Sequence, residues 1–256
     1  MTVELIKDGP VATVMLNRPE KLNALTEAMK DRLGSLFIEL ASDRATRVVV
    51  LAAAGKGFCA SGDVATLGDF DVLSGRDRLK RVHRLIISLS NIEKPVIASV
   101  RGIVAGTGWS MAMASDMVIA SETATFSQVF RNMGLAPDGG SIFFLTKLIG
   151  ELRAKEMVYS GCKLPVMEAE KLGLVNRVVK DEDLETETMR VAHDLAEGPG
   201  LAYASAKKLF KLTNTPSLEA FLDAETWAQG VNMVSDDHRE GVSAFREKRK
   251  ADFQSR

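Results

Sequence analysis

The sequence predicts an α/β protein built around a mostly parallel sheet. Three short apolar runs are predicted strands, namely Val48–Ala53, Pro95–Val100 and Val118–Ala120, and the first two have the composition of buried strands. Stretches with helical spacing separate these runs over about the first 120 residues, and strands that alternate with helices typically form βαβ units. From residue 142 onward the periodicity is almost wholly helical, apart from a predicted strand at Val175–Val179.

The N-terminal elements follow from turn and cap signals. Two alternating runs, Val3–Lys7 and Val11–Leu16, flank Asp8-Gly9-Pro10, which is typical of a β-hairpin. Thr26 is a good N-cap, and the helix that it opens has apolar residues at helical spacing: Met29, Leu33, Leu36, Phe37 and Leu40.

The later helices are predicted from the same periodicity. An amphipathic helix over residues 77–92 ends before Lys94-Pro95, and Met111–Ser115 lies in a helix of small residues. The last helix is predicted over Val242–Phe253, which is basic and amphipathic. Gly198-Pro199-Gly200 interrupts the helical pattern, so we expect a core domain of residues 1–195 and a helical region of residues 196–256. That helical region could pack on its own subunit or reach a neighbour.

The composition excludes several classes of function. The 256 residues carry 33 basic and 34 acidic side chains, so no overall field favours nucleic acid or an anionic membrane as a partner. The two cysteines, Cys59 and Cys162, are far apart and show no metal spacing, which favours a reduced, cytoplasmic compartment. No run reaches the roughly 18 apolar residues of a membrane span. We therefore expect a soluble, cytoplasmic protein with no membrane partner and no metal.

One carboxylate, Asp138, lies in an unusual setting. It occupies the segment Leu135–Ser141, with a proline before it, two glycines after it and an apolar run following. Two interpretations are open from these residues. Asp138 could cap the next helix, which is the more ordinary role of Pro-Asp-Gly. It could also line an apolar pocket, where burial would raise its pKa from about 3.9 and make it a usable base.

Two glycine-bearing loops follow neighbouring predicted strands. Gly55–Asp63 lacks the spacing of a phosphate-binding P-loop, and Gly102–Gly108 lacks the third glycine and the acid of a dinucleotide site. Each loop could instead present a backbone N–H to developing negative charge, and together they would form an oxyanion hole. Ordinary tight turns explain either loop equally well. The three histidines, in contrast, lie in charged helical surroundings typical of surface residues, namely His83, His193 and His238.

Four segments, in order, resemble motifs of the crotonase family, also called the enoyl-CoA hydratase/isomerase superfamily. Asn17–Leu25 is similar to the loop that curls around coenzyme A, and Phe58–Asp63 to the first oxyanion loop. Arg101–Gly108 resembles the second oxyanion loop, and Glu240–Arg249 resembles the C-terminal helix. The resemblance implies a spiral fold of repeated ββα units with a C-terminal helical trimerisation region.

The resemblance also implies a substrate and a site. The substrate would be an acyl-CoA thioester of fatty acid or aromatic acid catabolism, whose carbonyl oxygen binds the N–H groups of Gly62 and Thr107. Coenzyme A enters as part of the substrate, and no other cofactor is required. The assembly would be a homotrimer or a dimer of trimers. The residues at positions that bind coenzyme A in the family are Lys21, Leu22, Ala24, Ala60, Asp63, Val64, Phe245 and Lys248.

Departures from the family motifs indicate the branch. Hydratases carry two glutamates, and Ser110 and Phe130 stand at those positions here. Asp138 matches the lone acid of the isomerases, which include Δ3,Δ2-enoyl-CoA isomerases and ring-epoxide phenylacetyl-CoA isomerases. An isomerase is therefore expected. A hydratase that uses Asp138 with a water molecule, or a non-catalytic binding relative, are the alternatives.

Other positions bear on the details of the predicted site. Ser61 and Thr107 stand where glycine is common, which preserves an N–H but not a glycine-only backbone angle. Several aromatic residues could line an acyl pocket or simply fill the core, namely Phe70, Trp109, Phe126, Phe130 and Phe143.

Overall fold

A computed structural model of the chain describes residues 2–66, 68, 70–213 and 217–255 and contains two sheets. The described strands are β1 (Val3–Asp8), β2 (Val11–Leu16), β3 (Val48–Ala53), β4 (Val96–Val100), β5 (Ile103–Ala105), β6 (Met117–Ser121), β7 (Thr125–Ser127), β8 (Lys163–Pro165) and β9 (Arg177–Val179). The main sheet has the order β1-β2-β3-β4-β6-β9, and β5-β7-β8 form the second. Apart from the β1–β2 hairpin, neighbours in the main sheet are parallel.

Helices cover the sheet and form the C-terminal region. They are α1 (Glu27–Ser42), α2 (Val72–Ser90), α3 (Thr107–Ala114), α4 (Ser141–Ile149), α5 (Glu151–Ser160), α6 (Val166–Lys171), α7 (Leu184–Ala196), α8 (Gly200–Leu212), α9 (Leu218–Met233) and α10 (Asp236–Glu247). Short 3-10 turns lie at Pro19–Lys21, Val64–Thr66, Val129–Met133 and Asp181–Asp183. None of the helices in the described ranges is long and apolar enough to cross a membrane.

The main sheet is buried on both faces, as the apolar runs predicted. Successive side chains of β3 point to opposite faces, so Val49 and Leu51 join the larger core cluster, which includes apolar residues of α1 and α2. Val48 and Val50 pack on the other face with residues of α7. The expected parallel α/β architecture is therefore confirmed.

Several element boundaries agree with those predicted from the sequence. The hairpin and β3 lie where they were predicted, and the Thr26 hydroxyl caps α1 by accepting a hydrogen bond from Met29 N–H at 3.2 Å. The prediction for α2 was wrong at its start. This helix begins five residues earlier, at Val72, because Asp71 and Ser74 form a reciprocal capping box.

The second sheet was not predicted. Its strands β5, β7 and β8 have three residues each, which is too short for an alternating pattern to be visible. The small-residue helix α3 was predicted around Met111–Ser115, and it spans Thr107–Ala114 with Ser115 as its C-cap.

The predicted extent of the last helix was also wrong. α10 ends at Glu247, since Lys248 adopts a left-handed conformation (φ 55°). Beyond it, the Arg249 guanidinium turns back to pair with Glu240 and Glu247. The basic residues 248–250 therefore follow the helix and do not form its polar face.

Candidate active site

The two glycine-bearing loops meet beside the second sheet. Cys59 forms a parallel bridge with Val104, in which Cys59 N–H donates to Ile103 O at 3.0 Å and Ala105 N–H donates to Cys59 O at 2.9 Å. At Gly108 an added Cβ would lie 2.6 Å from the Cys59 Cβ, so only glycine permits this approach. The bridge places the segment 60–63 against the first turn of α3.

A small cavity of about 90 Å³ opens where these loops meet. Five of the predicted site residues line it, and these are Ala60, Gly62, Val64, Thr107 and Asp138. Most of the remaining wall is apolar, formed by Val82, Val129, Phe130, Met133 and Leu135. The structure therefore brings the predicted acid and both predicted N–H donors to one cavity.

Asp138 is held in this cavity by Thr107. The Thr107 hydroxyl donates to Asp138 Oδ1 at 3.2 Å. Burial raises the pKa of Asp138, although the Thr107 hydrogen bond and the nearby charges of Lys30 and Arg78 oppose that shift. The capping interpretation is wrong, because the N-cap of α4 is Gly140 and no side chain caps this helix.

The positions of the two missing acids are occupied by unreactive groups. Ser110 is fully buried and shares a hydrogen bond of 2.7 Å with Ser141, while its hydroxyl also contacts Asp138 O at 3.3 Å. Phe130 is buried in the cavity wall. Among the residues that the structure describes, Asp138 is thus the one carboxylate that lines the cavity.

The two N–H donors differ in their present partners. The Gly62 N–H has no hydrogen-bond acceptor within the described part of the chain. The Thr107 N–H, at the start of α3, donates to Ser61 Oγ at 3.2 Å. Ser61 adopts φ 88°, a region that favours glycine, and its hydroxyl packs against Gly106. The Ser61 hydroxyl must therefore move before both N–H groups can bind the same oxygen.

The predicted coenzyme A loop is tied to the first oxyanion loop. Leu22 O accepts from Ala60 N–H at 3.0 Å, and Lys21 and Leu22 are exposed beside this contact. Arg18 pairs with Asp63 at 2.6 Å and lowers the pKa of that carboxyl group. The same guanidinium donates to Ala24 O at 3.0 Å.

The buried side chain of Asn23 stabilises this loop by hydrogen bonds to backbone groups. It is fully buried at φ 54°, and its side chain accepts from Arg18 N–H and donates to Ala54 O and Gly57 O, at 2.7–2.9 Å. Asn23 lies within the predicted coenzyme A loop, Asn17–Leu25, and the structure gives it a supporting role. The motif residues Lys21, Leu22, Ala24, Ala60, Asp63 and Val64 consequently lie in one region.

Two predicted residues lie elsewhere. Phe245 on α10 is 86% exposed and lines a separate cavity of about 430 Å³ together with Met233 and Phe253. Lys248 follows directly after α10. Within one chain the structure does not bring Phe245 or Lys248 to the Asp138 cavity.

The aromatic residues divide between cavity and core. Phe130 lines the cavity, whereas Trp109 and Phe126 are buried with their ring centroids 5.5 Å apart. Phe70 is exposed under the Arg78 guanidinium, and Phe143 lies on a different surface. In the described ranges no group of three or more His, Cys, Asp or Glu side chains is placed to hold a metal ion.

Sequence reasoning missed a buried cation in the cavity wall. The Lys30 side chain is 1% exposed and donates to Glu27 Oε1 at 2.7 Å. A signal was present, because Lys30 lies three residues before Leu33 and seven before Phe37, on the apolar stripe of α1. Arg78 of α2 also contacts Glu27 and lines the same cavity.

Known proteins that resemble this chain belong to a single family. The family described as enoyl-CoA hydratase/isomerase matches residues 7–256. The 1,2-epoxyphenylacetyl-CoA isomerase of Escherichia coli is 34% identical over 247 residues, with 95% of this chain and 94% of that protein covered. The short-chain-enoyl-CoA hydratase of Clostridium acetobutylicum is 31% identical, with 97% of this chain and 95% of that protein covered.

A solved structure agrees with these relatives. The enoyl-CoA hydratase of Mycobacterium smegmatis superimposes with a TM-score of 0.94 at 32% identity, covering 99% of both chains. The names of these relatives include both hydratases and isomerases.

Proposed function

The chain belongs to the enoyl-CoA hydratase/isomerase family and has the crotonase fold, and we propose that it is an acyl-CoA isomerase that moves a carbon–carbon double bond. One observation carries this proposal. Asp138 is the only carboxylate lining the cavity in the described part of the chain, while Ser110 and Phe130 replace the acids that hydration would use. A single carboxylate suffices for isomerisation, because the group that removes a proton also returns it.

The reaction begins with proton removal. Asp138 takes a proton from C2 of a 3-enoyl thioester, and the electrons of the broken C–H bond form an enolate on the thioester oxygen. Burial raises the pKa of Asp138, which makes its carboxylate a stronger base than an exposed one. The Thr107 hydroxyl keeps Oδ1 in place from the side.

Backbone N–H groups stabilise the enolate. The N–H groups of Gly62 and Thr107 bind the thioester oxygen once the Ser61 hydroxyl has moved aside, and each such donor contributes about 2.7–4 kcal/mol to the transition state. Collapse of the enolate moves the double bond to C2–C3 while C4 takes the proton back from Asp138. A ring-epoxide phenylacetyl-CoA substrate would use the same oxyanion hole and the same acid.

The assembly and the binding of coenzyme A are part of this proposal. The residues that would hold the coenzyme A arm lie together beside the cavity, and they are Lys21, Leu22, Ala24, Ala60, Asp63 and Val64. Phe245 and Lys248 would reach coenzyme A from a neighbouring subunit of a trimer or a dimer of trimers. No cofactor other than the coenzyme A of the substrate takes part.

A hydratase remains the second candidate, supported by the Clostridium acetobutylicum relative. Steady-state assays with 3-hexenoyl-CoA and with crotonyl-CoA separate the two. An isomerase produces conjugated enoyl absorbance from the first substrate, whereas a hydratase removes it from the second. Turnover of crotonyl-CoA alone would overturn the isomerase, and no turnover of any acyl-CoA would favour a binding protein.

A further inference from the structure

Lys30 is a cation at a position where the packing of α1 favours an apolar residue. It lies next to Met29 and three residues before Leu33, both of which belong to the core, and its own side chain is 1% exposed. Replacing a buried ion pair by apolar side chains of similar volume is often neutral or stabilising. Stability therefore does not explain why this position carries a charge.

Lys30 lies next to the groups that the proposed reaction uses. It lines the same cavity as Asp138, and a Cβ added to Gly62 would lie 3.9 Å from Lys30 Nζ. Arg78 lines this cavity as well, and its Nη2 would lie 3.5 Å from that Cβ. Burial raises the pKa of Asp138, and the charge of Lys30 opposes that rise. The cation is thus placed to act on both the acid and the oxyanion hole.

The charges of this wall are matched before the reaction. Glu27 accepts hydrogen bonds from Lys30 Nζ at 2.7 Å and from Arg78 Nε at 3.2 Å. Glu27 offsets one of these two positive charges, and the ionised carboxylate of Asp138 offsets the other. No further anion is needed in the free enzyme.

Proton transfer moves a negative charge within this matched set. Asp138 takes the C2 proton and becomes neutral, the electron pair of the C–H bond forms the C1–C2 double bond, and the thioester oxygen takes the negative charge. The positive charge that matched Asp138 then matches the enolate oxygen at the Gly62 N–H. A fixed charge beside developing negative charge is more effective in a site shielded from water than in solvent.

Building on the isomerase function above, we propose that Lys30 is a positioning residue whose buried charge keeps Asp138 ionised in the free enzyme and stabilises the enolate once the proton has moved. Lys30 acts through the electric field that it creates at these two places, and its ammonium group stays hydrogen-bonded to Glu27 throughout. Arg78 assists it from α2.

The other groups around the cavity do not replace Lys30. The titratable and charged side chains that act on this wall are Glu27, Lys30, Cys59, Arg78, Arg81, His83 and Asp138. Burial raises the pKa of Cys59 to about 12, so its thiol stays neutral. His83 and Arg81 are exposed, where water and salt screen a charge. Lys30 is the least exposed of the basic groups in this set.

The pH dependence of kcat/KM for 3-hexenoyl-CoA tests the effect on Asp138. Activity needs the ionised carboxylate, so it falls as the pH decreases through the pKa of Asp138. Loss of a nearby positive charge makes this carboxylate harder to form, so Lys30→Met should move the acid limb to higher pH. At neutral pH we expect kcat/KM to fall at least about tenfold, which corresponds to about 1.4 kcal/mol.

Two further variants separate charge from structure. Arg84→Met is the matched control, because Arg84 is an exposed cation of α2 that does not line the cavity, and it should keep the acid limb of the wild type. Lys30→Gln keeps a hydrogen-bond donor toward Glu27 and removes the charge, so it should behave like Lys30→Met. Lys30→Met should melt no lower than the wild type, because Glu27 keeps Arg78 and Arg81 as partners. If it fails to fold, Lys30→Gln provides the same comparison.

Acetoacetyl-CoA tests the effect on the enolate without isomerisation. This β-ketothioester ionises at C2, and its enolate absorbs in the near ultraviolet. In an Asp138→Asn background the proton leaves to solvent, so the pH midpoint of the enolate absorbance of the bound ester reports on the oxyanion hole and the charges beside it. Adding Lys30→Met should move this midpoint to higher pH, whereas adding Arg84→Met should not.

The two measurements distinguish this inference from the isomerase function. An acid limb or an enolate midpoint that stays in place in both Lys30 variants would overturn the role of Lys30 and keep the isomerase. A loss of rate that is equal at every pH and accompanies a lower melting temperature would also overturn it, because a structural role predicts that result. No turnover of 3-hexenoyl-CoA by the wild type, with an enolate midpoint that depends on Lys30, would refute the isomerase but keep the role of the charge.

Discussion

Replacing Asp138 by Asn isolates the proposed acid/base. The two side chains have the same shape, and the amide oxygen of Asn can still accept the Thr107 hydroxyl hydrogen bond of 3.2 Å. The backbone bond from Ser141 N–H to Asp138 O is also kept. The substitution therefore removes the proton-carrying group and leaves the packing of the cavity unchanged.

We expect a large loss of activity, because no other carboxylate in the described part of the cavity wall can replace Asp138. A positioned acid/base contributes about 10²–10⁴-fold to rate, or about 2.7–5.5 kcal/mol at about 1.36 kcal/mol per decade. No other carboxylate in the described residues lines the cavity, so we expect a loss near the upper end, of about 10³–10⁴ in kcat. Affinity for the coenzyme A ester should change less than about threefold, because Asp138 lies at the reacting end.

For the same variant we expect activity to fall but stability at neutral pH to rise. Burial raises the pKa of Asp138 above its unfolded value of 3.8, so the folded protein binds this proton more tightly than the unfolded chain. Its contribution to stability is present below pH 3.8 and is lost as the pH rises through the folded pKa. At neutral pH the buried carboxylate therefore destabilises the fold by about 1.4 kcal/mol for each unit of pKa increase. Asp138→Asn should remove that penalty.

Two measurements check this reasoning. Coupled assays with 3-hexenoyl-CoA give kcat and KM, and denaturant unfolding at several pH values gives stability. Asp77→Asn, at an exposed position on α2, is the matched control and should leave activity unchanged. Turnover by Asp138→Asn within tenfold of the wild type would refute the acid/base role. A variant that becomes less stable than the wild type as the pH rises would refute the burial argument.

Three further predictions concern the backbone around the site. Ser61→Gly relieves a left-handed backbone conformation (φ 88°) and frees the Thr107 N–H. We therefore expect the free energy of unfolding to rise by about 1 kcal/mol and kcat to stay at least as high as in the wild type. A lower kcat in steady-state assays would mean that the Ser61 hydroxyl contributes to catalysis. Asn23→Ala removes the three hydrogen bonds of a buried side chain. It should cost about 2–4 kcal/mol in urea unfolding and weaken coenzyme A binding, and a loss under about 0.5 kcal/mol would contradict that role. Gly102→Ala would place a Cβ 1.9 Å from Lys56 O, at a residue with φ 54°. It should lower the free energy of unfolding by more than about 2 kcal/mol. A variant with the melting temperature of the wild type would show that this turn can shift.

Much of the architecture could be predicted because its signals are local. The β1–β2 hairpin depends on a turn of two residues, Gly9-Pro10, and the Thr26 cap depends on contacts within one helical turn. The buried strand β3 shows its environment in its own composition. Two of the four motif segments contain Gly62 and Thr107, and the separate segment Leu135–Ser141 contains Asp138, so these three cavity residues could be named from the sequence.

The role of Asp138 needed the tertiary structure. Pro-Asp-Gly chemistry is compatible with a cap, its more ordinary role, and with a base. The choice between them depends on where the next helix begins and on what surrounds the carboxylate. Gly140 became the N-cap of α4, and Thr107, distant in sequence, became the partner of Asp138. Local sequence contains neither fact.

Other features depended on pairing between distant segments. The three-residue strands β5, β7 and β8 exist because they hydrogen-bond to one another, and their own sequences are too short to indicate it. The burial of Lys30 depends on the packing of α2 over α1, which places Arg78 on the same carboxylate. The sequence by itself determined the family, the strands of the main sheet and the candidate reactive groups, because local patterns of residues indicate them. Only the tertiary structure decided which groups share the cavity and which charges face it, because burial and charge pairing arise between segments far apart in the chain.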